Sequence, residues 1–169
     1  MERIMNITKL FEMQKSLDRH IQEKHNLHAE DLIDKKILAL FVELGELANE
    51  TRCFKFWSLK GPSERKLILA EYVDGVHFIL SLGIGCNLQI TSVDVKVGQS
   101  SKENDVTAQF LNIYASIQSF SMEQSQENYE TMFTDYLVLG NMLGFSGEDV
   151  ERAYVEKNQI NYDRQKQGY

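Results

Sequence analysis

The chain has 169 residues, 43% of them apolar and 25% charged, enough for one folded unit with its own core and unlike a disordered or disulfide-stapled design. A formal net charge of -7 argues against duplex nucleic acid as the main partner, because that binding rests on basic side chains displacing counterions; nucleotides held locally through cations remain open. With one proline in the whole chain and Leu, Glu, Lys and Gln abundant, helices are favoured over a sandwich or barrel.

The first expected helix runs from Ile7 through Lys24, where Ile7, Leu10, Phe11, Leu17 and Ile21 recur at the helical period. A second spans Asp31 to about Arg52, with Ile33, Ile37, Leu40, Phe41, Leu44, Leu47 and Ala48 on one stripe and Glu43, Glu46 and Glu50 beside it. Gly61, Pro62 and Ser63 interrupt the pattern. Ser63 is the expected N-cap of a third helix reaching about Leu82, with Gly83, Gly85 and Asn87 ending it. The alternation of Val93, Val95 and Val97 looks like a strand, but no second strand is there to pair with it, so 91–104 is expected to be an extended loop or a dimer edge. Helical periods return from Asp105 to about Phe120 and from Gln126 to about Leu143, and Ser146 with Asp149 reads as a capping box opening a last helix. The expectation is an all-α bundle of about six helices, without a substantial sheet, forming a single domain over 1–169.

The N-terminus lacks an uninterrupted apolar stretch of the signal-peptide kind, and no segment approaches the roughly 20 apolar residues of a membrane span. Cys53 and Cys86 have no zinc or redox spacing and read as reduced thiols. No membrane partner and a cytoplasmic location are therefore expected.

The chemistry concentrates in two acidic pairs, Glu43 with Glu46 and Glu71 with Asp74. Residues three apart on a helix project from one face, so two such helices packed together converge four carboxylates on one volume. Crowded carboxylates need cations, and hard oxygen-preferring ions, Mg²⁺ above all, usually come with substrate phosphates. Such a pair alone usually covers a solvated helix face; here Leu40, Leu44 and Leu47, and Leu69, Tyr72, Val73 and Phe78, place the acids beside a core, where charge needs a partner. His77 falls on the same side of the third helix as Asp74, as either a ligand-binding group or a satisfied core histidine. Between the pairs lies the segment Thr51 to Ser58, dense in cations and aromatics. Arg52 and Lys55 could meet phosphate while a ring covers a base, and the alternative makes Phe54, Phe56 and Trp57 core anchors. Composition alone reads the charged C-terminus, 157–169, as a solvated tail.

In order along the chain, the run Glu43-Leu44-Gly45-Glu46 through Trp57-Ser58, then Glu71-Tyr72-Val73-Asp74-Gly75-Val76-His77-Phe78, then Lys157-Asn158, Asn161, Arg164-Gln165 and Gly168-Tyr169, closely resembles the dimeric all-α dUTP diphosphatases. The acidic signature by itself marks the wider all-α nucleoside triphosphate pyrophosphohydrolase superfamily, MazG-like enzymes included. The aromatic segment and the closing motif narrow the resemblance.

That resemblance implies a homodimeric hydrolase converting dUTP, and dUDP, to dUMP with Mg²⁺, two or more ions, and attack at the β-phosphorus. It implies that Glu43, Glu46, Glu71 and Asp74 hold the metals, with Glu43 and Glu46 in the catalytic set and Glu43 the base acting on water. Lys157, Arg164 and Tyr169 match phosphate-binding positions, with Lys55 and Arg52 as further candidates. Gln14, Trp57, His77, Asn158 and Asn161 match base and sugar positions, amides suiting the donor and acceptor edge of uracil. Two departures are visible: Val42 stands where many superfamily members carry an acid, and Asp18 where some relatives carry an amide. The alternatives are a pyrophosphohydrolase of the same fold for dCTP or a damaged nucleotide, and a non-catalytic helical module docking a basic, regulatory protein partner.

Overall fold

A computed structural model describes residues 5–27, 31–91 and 105–168. Among these residues the chain forms six helices and no strand: α1 Ile7–His25, α2 Ile33–Thr51, α3 Arg65–Gly85, α4 Val106–Met122, α5 Gln126–Met142 and α6 Gly147–Lys166. The Val93 to Val97 alternation lies outside the described residues.

Local signals start and stop most of these helices. The side chain of Asn6 accepts from the Lys9 N–H to open α1, and Asn26 closes it in the left-handed region at φ 54°. Asp105 accepts from the N–H groups of Thr107 and Ala108 to cap α4, and Ser125 caps α5 through Asn128. At α6 the capping box is complete: Ser146 Oγ accepts from Asp149 N while Asp149 accepts from Ser146 N.

α3 departs from expectation at its start. Its N-cap is Glu64, which makes no side-chain cap bond, rather than Ser63. The Ser63 hydroxyl instead donates to the Glu50 carboxylate, a charged acceptor, and the Ser63 N–H donates to Glu50 O at 3.0 Å. At the other end the helix runs through Gly83 and stops at Gly85. Gly83 is a close-approach residue: a Cβ there would lie 2.3 Å from the Tyr129 hydroxyl, which donates to Ile79 O at 2.8 Å.

α3 is the centre of the bundle, packed against α1, α2, α5 and α6, while α4 joins through α2 and α5. An 18-residue stretch of this 21-residue helix has a mean hydropathy of 1.6, so by length and composition it could cross a membrane, which corrects the expectation that no segment approaches that. Packing accounts for much of that character, because Tyr72, Val73, Val76, Ile79, Leu80 and Leu82 are all buried in the core. α2 contributes Leu40, Leu44 and Leu47, each fully buried, and α6 contributes Val150 and Tyr154. The polar edges of α2, α3 and α6 therefore meet at the margin of one apolar core, and the site lies there.

Candidate active site

α2 and α3 share the most extensive contact of any helix pair. Burying Leu40, Leu44 and Leu47 from one helix and Tyr72, Val73 and Val76 from the other sets the interleaved acids along the seam, with Glu43 and Glu71 half-buried and Glu46 exposed. Oxygens of Glu43, Glu46 and Glu71 come within 4.8 Å of one another. Glu43 Oε2 and Glu71 Oε2 are buried and have no hydrogen-bond partner. Buried carboxylate oxygens left bare are costly, and a hard cation with oxygen ligands is the chemistry that would satisfy them. The donor set fits Mg²⁺ on that observation.

The fourth acid is placed differently. Asp74 is bridged by Lys157 of α6, whose Nζ lies 2.9 Å from Oδ1 and 3.0 Å from Oδ2. Electrostatics follow the geometry. Burial, then repulsion from Asp74, Glu46 and Glu71, pushes the Glu43 carboxyl from its ordinary 4.5 up to about 7. Glu71 is raised by burial and by Asp74 and Glu46, with Lys157 pulling the other way. Asp74 is also raised, burial outweighing the Lys157 bond and the attraction of Lys157 and Arg164.

The carboxylates stand between two cavities. Glu43 and Asp74 help line a half-open one of about 300 Å³, together with Gln14, His77, Phe78, Lys157, Asn161 and Arg164. Glu46 and Glu71 line a second, more open cavity of about 530 Å³, with Val42, Gly45, Asn49 and Glu50. The first has the size and the amide-rich wall of a nucleoside pocket, and the second is acidic and open to solvent.

A buried polar network backs the first cavity. Gln14 Nε2 donates to Asp18 Oδ1 at 2.8 Å, and Ser81 Oγ donates to Asp18 Oδ2 at 2.8 Å. Gln14 Oε1 meets His77 Nδ1 at 2.7 Å and accepts from the Tyr154 hydroxyl at 2.8 Å. The His77 ring stacks on Tyr154 with centroids 4.1 Å apart, and burial lowers its pKa from 6.5 to about 3. Asn158 is buried nearby, with its Nδ2 unpartnered.

A family model described as dUTPase matches residues 6–169. The chain belongs to the dUTPase family. No curated protein matches it in a direct search. The dUTPase assignment makes it a hydrolase of dUTP and overturns the alternative of a non-catalytic binding module. Its six helices fit the all-α class that the sequence resembles.

Gln14, Glu43, Asp74, His77, Lys157, Asn161 and Arg164 of this dUTPase, candidates from seven separate positions, converge on one cavity. Tyr169 lies outside the described residues. The segment between α2 and α3 is elsewhere. Arg52 donates from Nε to Lys60 O at 3.0 Å and from Nη2 to Ser58 Oγ at 2.8 Å, so its guanidinium braces its own loop. Lys55 Nζ lies 5.7 Å from the Phe54 ring centroid. Trp57 is 64% and Phe56 94% exposed, so neither is a core anchor and neither lines that cavity.

Asp18, Ser81, Tyr154 and Lys36 belong to the site or its backing and were not candidates from sequence. A helical signal existed for the first two: Asp18 follows Gln14, and Ser81 follows His77, by one turn. Nothing in the sequence pairs Tyr154 with Gln14, 140 positions away.

Proposed function

We propose that the chain hydrolyses dUTP and dUDP to dUMP with Mg²⁺, the nucleoside in the cavity beside α1, α3 and α6 and the phosphates extending across the carboxylates toward the more open one. The convergence of Glu43, Glu46 and Glu71 within 4.8 Å, with two bare buried oxygens at the junction of the cavities, carries this reading. Glu43, Glu46, Glu71 and Asp74 would hold two or more ions. When bound, Mg²⁺ lowers the pKa of water and offsets charge on the phosphates.

The chain's own residues supply the rest. Glu43, whose proton affinity without a cation is near neutrality, orients water and takes its proton as oxygen attacks the β-phosphorus. The bond from that phosphorus to the oxygen bridging to the α-phosphate breaks, leaving dUMP and pyrophosphate from dUTP, or dUMP and phosphate from dUDP. Lys157 and Arg164 on the cavity wall place positive charge against the phosphate chain, and Lys157 also orients Asp74. Gln14, His77, Asn158 and Asn161 meet the base and sugar.

The reading extends to a homodimer. Leu38 and Val42, one turn apart on α2, are 65% and 51% exposed, and Phe56, Trp57 and Leu59 follow in the next loop. A second copy covering this surface would bury them and bring the Thr51 to Ser58 segment near a site it does not reach in its own chain. Two free cysteines among the described residues, Cys53 and Cys86, agree with a reducing, cytoplasmic setting.

The test is product release with Mg²⁺ and dUTP, dUDP, dCTP, dTTP or UTP supplied separately. dUMP formation from dUTP and dUDP, abolished by chelator, is the expected result. Equal turnover of dCTP would overturn the base choice and favour the same-fold alternative.

A further inference from the structure

The buried network behind the nucleoside cavity has a direction. Carboxylate oxygens only accept hydrogen bonds, so the Gln14 group facing Asp18 Oδ1 is its NH₂. The amide cannot turn over without placing Oε1 against the Asp18 carboxylate, acceptor to acceptor. Asp18 is itself held by the Ser81 hydroxyl at its second oxygen. Gln14 Oε1 therefore faces the other way, where it accepts from Tyr154. It also lies 2.7 Å from His77 Nδ1, and an amide oxygen at that distance requires a proton on Nδ1. His77 is neutral, since burial holds its pKa near 3, so Nε2 carries no proton. That nitrogen is buried, has no partner, and belongs to a residue 6% exposed on the wall of the nucleoside cavity.

We propose that Asp18 is a positioning residue: acting through Gln14, it fixes the His77 tautomer so that Nε2, on a residue of the cavity wall, stays a bare acceptor for a hydrogen-bond donor on the substrate. The reading of the cavity as a nucleoside pocket underlies the second half of this inference, whereas the tautomer relay stands without it. The nucleoside part of dUMP or dUTP offers two such donors, the base N3–H and the sugar 3′-hydroxyl. In the first case the relay also rejects cytosine, whose N3 is an acceptor and would face a second lone pair. Asp18 thus acts on substrate choice through Gln14 and His77, with both of its own oxygens held by Gln14 and Ser81. An asparagine at this position would serve the same end, with its Oδ1 toward Gln14 and its Nδ2 donating to Ser81.

The experiment is two-bond ¹H–¹⁵N spectroscopy of the full chain labelled at histidine, with the His77 signals assigned by their loss in His77→Gln. Wild type is expected to carry its proton on Nδ1 with Nε2 bare. Asp18→Ala should give a mixture of tautomers and bind dUMP with Mg²⁺ roughly 10-fold more weakly, and Asp18→Asn should restore both. A wild-type proton on Nε2 overturns the relay. So does an unchanged tautomer in Asp18→Ala, or an Asp18→Asn protein as mixed as the alanine variant.

Three ligands distinguish the donors. Binding of dUMP should shift the Nε2 resonance toward hydrogen-bonded values; loss of the shift with N3-methyl-dUMP assigns the base, and loss with 2′,3′-dideoxyuridine monophosphate assigns the sugar. Binding of all three with the shift retained overturns the substrate contact. If dUMP does not bind, the nucleoside reading fails together with that contact, while the tautomer result still decides the relay.

Discussion

Lys157 Nζ spans both carboxylate oxygens of Asp74, at 2.9 and 3.0 Å, and so ties the last helix to the central one at the edge of the acidic cluster. Both side chains are 18% exposed, so the pair is largely desolvated, and removing one partner strands the other. Lys157→Met keeps the aliphatic stem but leaves Asp74 near-buried with no bridging cation. A loss of about 1–3 kcal/mol is expected at pH 8 by urea denaturation, shrinking toward pH 4 as Asp74 protonates. Turnover should fall as well, through lost phosphate contact.

Glu43→Gln should separate stability from function. Glu43 is ionised in water at neutral pH but is pushed up to about 7 in the fold, so its charge opposes folding wherever the unfolded chain is ionised and the folded one resists. Removing the charge relieves repulsion with Asp74, Glu46 and Glu71. Without metal, the melting temperature at pH 8 should rise by ~2–4 °C, a figure discounted for the half-solvated position of the group. Hydrolysis of dUTP should be lost in the same protein. A variant that melts lower than wild type would contradict the repulsion, and one that retains turnover would contradict the role.

Proton and metal should compete at the cluster. For Glu43 and Glu71, folded values lie above unfolded ones, so the folded chain binds their protons more tightly and their contribution to the stability of the metal-free protein falls as pH rises from about 4.5 through 7. His77 works in the opposite sense: its folded value near 3 lies below 6.5, so its contribution is complete above 6.5 and is lost as pH falls toward 3. Mg²⁺ binds the ionised carboxylates. Its stabilising shift, read by thermal unfolding, should therefore grow between pH 5.5 and 8. A shift independent of pH would place the ion elsewhere.

The carboxylate pairs were legible because their chemistry is local: three-residue spacing on an amphipathic helix fixes which way Glu43, Glu46, Glu71 and Asp74 point before any tertiary contact is known. The C-terminus shows the opposite hazard. Its composition suggests a solvated tail, yet Tyr154, Lys157, Asn161 and Arg164 recur at three and four, and the helix runs to Lys166 with that face against the core and cavity. Charge content masked periodicity. The end of α3 falls at Gly85, one of the expected stop residues, while Gly83 stays inside the helix because its lack of a Cβ serves the approach of Tyr129, a residue distant in sequence. The network of Gln14, Asp18, His77 and Tyr154 joins α1, α3 and α6, and single-helix patterns carry no trace of such pairings.

Close approach also governs the joint between α3 and α5, next to the acidic cluster. Tyr72 and Tyr136 stack at 4.8 Å, and each hydroxyl donates to the other residue's carbonyl oxygen, Tyr72 to Tyr136 at 3.1 Å and Tyr136 to Tyr72 at 2.8 Å. Each ring lies over a glycine on the opposite helix: a Cβ on Gly75 would fall 1.9 Å from the Tyr136 hydroxyl, and one on Gly140 2.4 Å from that of Tyr72. In an exposed helix, alanine would gain about 1 kcal/mol over glycine. Here Gly75→Ala must displace a fully buried ring and break its hydrogen bond, at about 2–4 kcal/mol, so net destabilisation is expected by thermal or urea unfolding. Tyr136→Phe should rescue it only in part, because ring carbon Cζ would still lie 2.5 Å from the new methyl group. Since Gly75 adjoins Asp74, a shifted α3 should also weaken Mg²⁺ binding, measured as a smaller metal-induced rise in melting temperature. A Gly75→Ala protein as stable as wild type, with an unchanged response to Mg²⁺, would show that the joint can relax without disturbing the site.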